Sequence, residues 1–305
     1  MTRQTLWGID LGGTKTEGVV LQAGDDPKTI ARLRIPTERK KGYEHIINQI
    51  KKLVSKMEKE TSKQPHKIGI GIPGTLEPST QTVKNANTTV LNGRPFKEDL
   101  EKALGLPVIL NNDANCFALA EAKFGIVKMY YPEAVTIFGV IMGTGVGGGI
   151  IIKDKILTGK QGIGGEWGHN FLDESGGKCY CGKTGCVETV ISGPALEKYY
   201  SKISGKEKSL KEINQLYENG SDQKATETIM RLCKFFGKAI AQVINIIDPS
   251  IIILGGGVGN IQSLYTIGFE ETKKHVFNNK LGTHFVSPKL GDSAGVIGAA
   301  YLVNG

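Results

Sequence analysis

The sequence predicts an α/β protein made of two related halves. Two observations carry this expectation. Near the start, an apolar strand (Leu6–Asp10), a turn of small residues (Gly12-Gly13-Thr14) and a second apolar strand (Glu17–Leu21) follow one another. The same order returns at Val135–Met142, Gly143-Thr144-Gly145 and Gly149–Ile152, with amphipathic helices after each hairpin. The echo suggests two copies of one architecture, each presenting a glycine turn toward a shared cleft.

The elements between the hairpins follow from local pattern. A helix is predicted from Gly42 to Lys59, because Ile46, Ile47, Ile50, Leu53, Val54 and Met57 recur on one face. Lys67–Ile72 is a short strand that stops at Pro73-Gly74, and residues 80–98 read as loop and hairpin closing on Asn92-Gly93-Arg94-Pro95. Pro107–Leu110 is a strand running into Asn111-Asn112-Asp113, with a helix from Ala114 to Phe124. In the second half a long helix covers Ala225–Ile247, its apolar face including Leu232, Phe236, Ile240 and Val243. A buried strand, Ile251–Leu254, ends in Gly255-Gly256-Gly257, and a last helix of small residues covers Ser293–Leu302.

Composition narrows the function classes. A chain of 305 residues has room for two domains, and 39% hydrophobic with 22% charged residues is ordinary for a soluble globular protein. The net charge of +8 arises largely between Arg32 and Lys67, where lysines line the polar side of a helix. No aromatics are interleaved there for base stacking, so a nucleic-acid partner is not expected. Val135–Ile152 is uncharged, but the glycine turn in its middle makes it two buried strands, and no membrane partner is expected. No signal peptide is expected, since the first residues lead straight into a strand. Five cysteines are too few for a disulfide scaffold; Cys116 and Cys233 sit in apolar helical surroundings, and a reducing, cytoplasmic setting is expected.

The other three cysteines are the most specific signal. Cys179, Cys181 and Cys186 follow His169 at a spacing that matches a closed tetrahedral zinc site. Three thiolates and an imidazole leave no open position for water, so Zn²⁺ is expected to be structural. A redox dithiol is the competing reading, and it gives His169 no use. Glu166 and Glu188 flank the cluster, so a metal knot would hold two carboxylates in fixed geometry.

Gly69-x-Gly71-x-x-Gly74 and Gly143-x-Gly145-x-x-Gly148 match the dinucleotide pattern, but neither is predicted to open a helix, and no Walker A loop occurs. A hairpin turn of Gly and Thr can still cradle phosphate through its backbone N–H groups. Such turns at Gly12, Gly143 and Gly255 together point to a nucleotide; for any one of them, relief of crowding at a strand end is the alternative. Asp10, just before the first turn, is placed to hold Mg²⁺.

At this point the motifs resemble a family. Asp10-Leu-Gly-Gly-Thr-Lys15, Asn112-Asp-Ala-Asn115, Gly143-Thr-Gly-Val-Gly147, Gly165-Glu-Trp-Gly-His169 and Cys179-x-Cys-Gly-x-x-Gly-Cys-x-Glu188 are similar to those of the ROK sugar kinases, in order and spacing over essentially the whole chain. The resemblance implies the actin-like, ribonuclease-H-like hexokinase fold, with two α/β domains around a cleft. A small domain would span residues 1–115 with 290–305 returning to it, and a large one residues 116–289 with the zinc loop. ATP and Mg²⁺ would lie against Asp10, Gly12, Gly13, Thr14, Lys15, Gly143, Thr144, Gly145, Gly256 and Gly257. A hexose would be held by Gly74, Asn87, Asn112, Asp113, Glu166, His169 and Glu188. Asp113 would be the general base, which fits phosphoryl transfer to a hydroxyl; the competing reading is a helix N-cap, since it directly precedes a helix. His169 would serve twice, one ring nitrogen on zinc and the other on the sugar. A homodimer is implied as well.

Within the family, Lys84-Asn-Ala-Asn87, Leu91-Asn-Gly-Arg-Pro-Phe96 and Cys179-Tyr-Cys-Gly-Lys183 look most similar to the bacterial fructokinase and mannokinase branch, although Val90 stands where that branch has a tryptophan. Asn112–Leu119 and Gly143–Gly149 resemble N-acetylglucosamine kinases equally. The expected reaction is therefore phosphorylation of a hexose 6-hydroxyl, fructose first and mannose or glucose next, with N-acetylglucosamine or N-acetylmannosamine as the alternative. A sugar-sensing regulator of the same family is the non-enzyme alternative. Such regulators carry an N-terminal helix-turn-helix, for which a strand beginning by Leu6 leaves no room.

Overall fold

The first half of the chain forms β1 (Thr5–Leu11), β2 (Lys15–Gln22), β3 (Lys28–Pro36), α1 (Tyr43–Thr61), β4 (Ile68–Ile72), β5 (Thr75–Leu76), β6 (Val83–Lys84), α2 (Phe96–Leu104), β7 (Val108–Asn112), α3 (Asp113–Lys123) and α4 (Ile126–Tyr130). The second forms β8 (Thr136–Met142), β9 (Val146–Ile152), β10 (Lys155–Ile156), α5 (Val187–Ile191), α6 (Gly193–Ser204), α7 (Leu210–Glu218), α8 (Gln223–Ile247), β11 (Ile251–Gly255), α9 (Gly256–Gly259), α10 (Ile267–Lys273), β12 (His284–Val286) and α11 (Ala294–Tyr301). This computed structural model describes residues 4–304. Contacts divide them into two units: one holds the residues up to Pro132, Asp154–Gly164 and those from Lys289 onward, the other Glu133–Lys153 and Gly165–Pro288.

The first unit carries a mixed sheet in the order β3-β2-β1-β4-β7, antiparallel across β1–β2–β3 and parallel across β1–β4–β7. Strand alternation sets its two faces. Trp7, Ile9 and Leu11 pack with Ile46, Ile50 and Leu53 of α1. Leu6, Val19 and Leu21 pack with Val296 and Ala300 of α11. The close approach of α11 depends on small residues: a Cβ on Gly8 or Gly69 would collide with the backbone of Ala300 or Ala299. Within the second unit the order β9-β8-β11-β12 repeats β2-β1-β4-β7, again a hairpin followed by parallel strands. Helix α8 supplies Leu232, Phe236 and Ile240 to its core, beside Phe138 and Val140 of β8. This repetition is the actin-like, ribonuclease-H-like architecture.

Several elements differ from expectation. β3 was not predicted; it is an edge strand with mostly exposed residues, and only Ala31 and Ile35 are buried. Residues 80–98 contribute only β6 to a short ladder with β5, and α2 begins within them at Phe96, with no side-chain cap to announce it. β9 starts at Val146 rather than Gly149, so its three glycines are strand interior. The division between units falls after Pro132 rather than at residue 115. Helix α3 stays with the first unit because it packs against α11 so closely that a Cβ on Gly298 would strike the carbonyl of Cys116.

Candidate active site

The first unit brings one group of predicted residues together. Asp10 lies on the α11 face of β1, where a Cβ on Gly295 would come within 3.1 Å of its Oδ2. Opposite it in register stands Glu17, buried and paired to both Arg32 and Arg34. Burial pushes the Asp10 carboxyl up to about 7; the charges of Asp113 and Glu17 add to this, and Lys15 and Arg34 oppose it. A cation beside Asp10 would relieve that cost, so its chemistry fits an Mg²⁺ site.

The turn after Asp10 is held from outside the hairpin. Gly12 N–H donates to the Lys15 carbonyl at 3.0 Å. Thr37, fully buried, donates its hydroxyl to the Gly12 carbonyl at 2.7 Å and its N–H to the Thr14 carbonyl at 2.9 Å. Thr14 and Lys15 are exposed at the tip.

Gly74 has φ +101°, and a Cβ there would approach the Lys84 carbonyl at 2.6 Å and the Ala86 nitrogen at 2.8 Å. Glycine therefore lets the strand end nest against residues 84–86. Asn92 pins the same loop, accepting from Ala86 N–H at 2.9 Å and donating to its carbonyl at 3.0 Å. Asn87 is exposed beside this clamp. Asn112 donates to the Gly74 carbonyl at 3.1 Å, which joins this loop to the head of α3.

Asn112, not Asp113, is the N-cap of α3; its Oδ1 accepts from Ala114 N–H at 2.9 Å. Asp113 is the first helical residue, and its Oδ1 accepts from the same N–H at 2.8 Å. Carboxylate at a helix N-terminus is favoured by the helix dipole. Asn111 braces the pair, accepting from Asn112 N–H and from the Asn115 amide, each at 2.9 Å.

The second unit gathers the other group. The glycines of β9 make room for the segment 165–169, since a Cβ on Gly148 would meet the Phe138 ring at 2.7 Å and the Gly165 carbonyl at 2.8 Å. Trp167 then donates its indole N–H to the Gly147 carbonyl at 3.0 Å, which fixes Glu166 and His169 on either side. The Glu166 carboxyl is raised by burial, with His169 opposing and Glu188 adding to the rise. Glu188 accepts from Val146 N–H at 2.9 Å. It can do so because Gly145 lacks a Cβ, which would lie 2.6 Å from its Oε2. Gly256, with φ +80°, lies against Met142 at the end of β8 and opens the short α9, while Gly257 meets nothing nearby.

The ligand atoms of His169, Cys179, Cys181 and Cys186 all lie within 4.8 Å of one another. Cys181 and Cys186 Sγ are 3.6 Å apart, as are Cys179 Sγ and His169 Nδ1. Tetrahedral Zn–S bonds of about 2.3 Å give edges of about 3.8 Å, so the four donors fit that ion. Burial, with its thiol neighbours, pushes the Cys186 thiol up to about 12; a bound cation would reverse this. The other ring nitrogen of His169, Nε2, lies 3.0 Å from the Tyr180 hydroxyl.

Sequence reasoning missed the braces: Thr37, Asn92, Asn111 and Trp167. In the sequence Asn92 shows only as part of a turn and a short motif, and Thr37 follows β3, which local pattern does not predict. By charge pattern Arg39 belongs to the basic stretch between Arg32 and Lys67, yet it lies against Gly13.

Known proteins place this geometry. The profile described as the ROK family matches residues 6–305. The N-acetyl-D-glucosamine kinase of Vibrio atlanticus (strain LGP32) is 33% identical over 306 residues, covering 97% of this chain and 98% of that protein. Among solved structures, a ROK hexokinase from Thermus thermophilus superposes with a TM-score of 0.85 at 29% identity, over 99% of both chains. A ROK family glucokinase from Streptomyces griseus, solved with glucose and AMPPNP, gives 0.82 at 27% identity over 99% of this chain and all of that one (100%). Among the described residues, no helix is long and apolar enough to cross a membrane.

Proposed function

This chain belongs to the ROK family, and on that premise we propose that it is an ATP-dependent sugar kinase acting on the 6-hydroxyl of a hexose, with N-acetylglucosamine as the preferred acceptor. The observation that carries the kinase reading is the pairing of carboxylates in the first unit. Asp113 heads α3 while its neighbour performs the capping, and its charge acts on the buried Asp10. Two acids in one field suit a reaction that needs a base at the acceptor and a cation at the donor.

In this reading Asp113 accepts the proton of the 6-hydroxyl. The oxygen bonds to the γ-phosphorus in line, the bond from that phosphorus to the β–γ bridging oxygen breaks, and its electron pair leaves with ADP. The glycine turns at Gly12–Thr14 and Gly143–Gly145 offer backbone N–H groups to phosphate, and Asp10 is the residue to hold Mg²⁺, which would neutralise triphosphate charge. Gly74, Asn87, Asn112, Glu166, His169 and Glu188 are the residues proposed to bind the hydroxyls. Zn²⁺ on His169, Cys179, Cys181 and Cys186 would brace the loop that carries Glu166, His169 and Glu188.

The fructose preference expected from residues 84–96 and 179–183 gives way to N-acetylglucosamine, because the full-length relatives at 33% identity carry that name. Local motifs of a few residues weigh less than similarity over 97% of the chain. ADP release measured with N-acetylglucosamine, N-acetylmannosamine, glucose, mannose and fructose tests both levels. The highest kcat/KM is expected for N-acetylglucosamine. No release with any of the five would overturn the kinase reading, and fructose in first place would restore the earlier expectation.

A further inference from the structure

We infer that Arg39 is the side-chain cation that grips the terminal phosphate of the nucleotide; this rests on the kinase reading above. The argument begins at Thr37. Its hydroxyl and its N–H both reach the Gly12–Thr14 turn, at 2.7 and 2.9 Å, and its hydroxyl also meets that of Thr16 at 2.9 Å. The segment after β3 is thereby fastened to the turn. Two residues later, in the 3₁₀ turn Arg39–Lys41, the chain aims a guanidinium back at it. A Cβ on Gly13 would come within 3.0 Å of Arg39 Nη1 and 3.9 Å of the Thr88 hydroxyl. The guanidinium therefore lies on the flank of the phosphate turn that faces the segment carrying Asn87, a proposed sugar ligand.

Its lack of a carboxylate partner is the second observation. Among the described arginines, Arg32 and Arg34 are bound to Glu17. Arg94 lies over Tyr43, and Arg231 lies over Tyr199 and Phe235 while donating to Ser175. Glu38, the acid nearest to Arg39 in sequence, is taken by Lys41 and His45 at 2.7 and 2.9 Å. Arg39 is exposed, carries no ion pair among the described residues, and sits against Gly13 of the turn. A planar fork of donors suits the oxygens of a terminal phosphate, and charge there grows more exposed as the phosphoryl group moves to the acceptor.

The test is nucleotide binding by calorimetry with Mg²⁺ present, for wild type, Arg39→Ala, Arg39→Lys and, as a control for net charge, Lys40→Ala. Arg39→Ala is expected to weaken ATP by about tenfold or more and ADP by less than about twofold, since only ATP carries the γ-phosphate. Arg39→Lys should recover part of the loss, and Lys40→Ala should match wild type. In the ADP-release assay kcat of Arg39→Ala should fall by about tenfold or more, with KM for the sugar within about threefold. Equal ATP affinity in Arg39→Ala and wild type, or ATP and ADP weakened alike, would overturn the assignment. A wild type that binds ATP yet phosphorylates none of the five sugars would instead sink the kinase reading, while the ATP-to-ADP ratio still decides the role of Arg39.

Discussion

The two hairpins share a design and differ in what surrounds their turns. At Gly12–Thr14 the braces are neutral hydroxyls, Thr37 and Thr16, and the neighbouring ions are a buried acid, Asp10, and a guanidinium, Arg39. At Gly143–Gly145 the brace is itself a carboxylate: Glu188 reaches from α5 to the Val146 N–H, and Gly193 N–H holds the Gly143 carbonyl at 2.9 Å. The first turn is thus kept open to an incoming anion. The second is tied to Glu188, two residues beyond the candidate metal ligand Cys186, so the state of that segment reaches the turn directly. One backbone motif, used twice, lies beside a buried acid and a guanidinium in one unit and under a carboxylate tether in the other.

The largest effect should come from the acid at the head of α3. Asp113→Asn is expected to lower kcat by about 10²- to 10⁴-fold with sugar affinity nearly unchanged. Turnover within threefold of wild type in steady-state kinetics would remove Asp113 from the chemistry. Next, Cys186→Ser should release the metal and cost most of the sugar affinity, because the Cys186 thiol is fully buried among the other ligands. Metal content by elemental analysis and sugar binding by calorimetry report this. If the two turns differ as argued, affinity for ADP should fall far less, and parallel loss of both ligands would erase the distinction.

Smaller changes sharpen it further. Gly145→Ala should displace the Glu188 carboxylate, whose oxygen lies 2.6 Å from the new methyl position. A flexible side chain can move aside, so melting temperature should change little while KM for the sugar rises by about tenfold. Gly143→Ala meets no protein atom within 4 Å and should likewise leave the melting temperature unchanged. The smallest effect is on stability against pH. Asp10 is raised from 3.8 to about 7, so the folded state holds its proton more tightly than the unfolded chain does. The metal-free protein should keep this stabilisation below about pH 4 and lose it as pH rises through about 7. Thermal melts of wild type should fall by on the order of 5 °C between pH 5 and 8 beyond those of Asp10→Asn; equal slopes would show that Asp10 titrates normally.

Much of the fold was legible in the sequence because its signals are local. The period of α1 placed its face correctly, with Ile46, Ile50, Leu53 and Met57 all fully buried. The long α8 begins at Gln223 against an expected Ala225. β3 escaped because an edge strand alternates charged with apolar residues and buries only two of its nine. α2 escaped because its helix signal is confined to Phe96, Leu100 and Leu104, without a capping side chain. For Asp113 the sequence left two roles open, and only the coordinates show that Asn112 performs the capping.

The sequence by itself determined the repeated hairpins, the four candidate metal ligands and the short motifs, since each is written in nearby positions whose period or spacing carries a physical meaning. Tertiary structure decided which long-range partner each group meets: Thr37 on the first turn, Glu188 on the second, Arg39 over Gly13 and Asp113 within the field of Asp10. Those pairings join residues that chain order leaves far apart, and they exist only where sheet register and the close packing allowed by glycine bring distant backbones into contact.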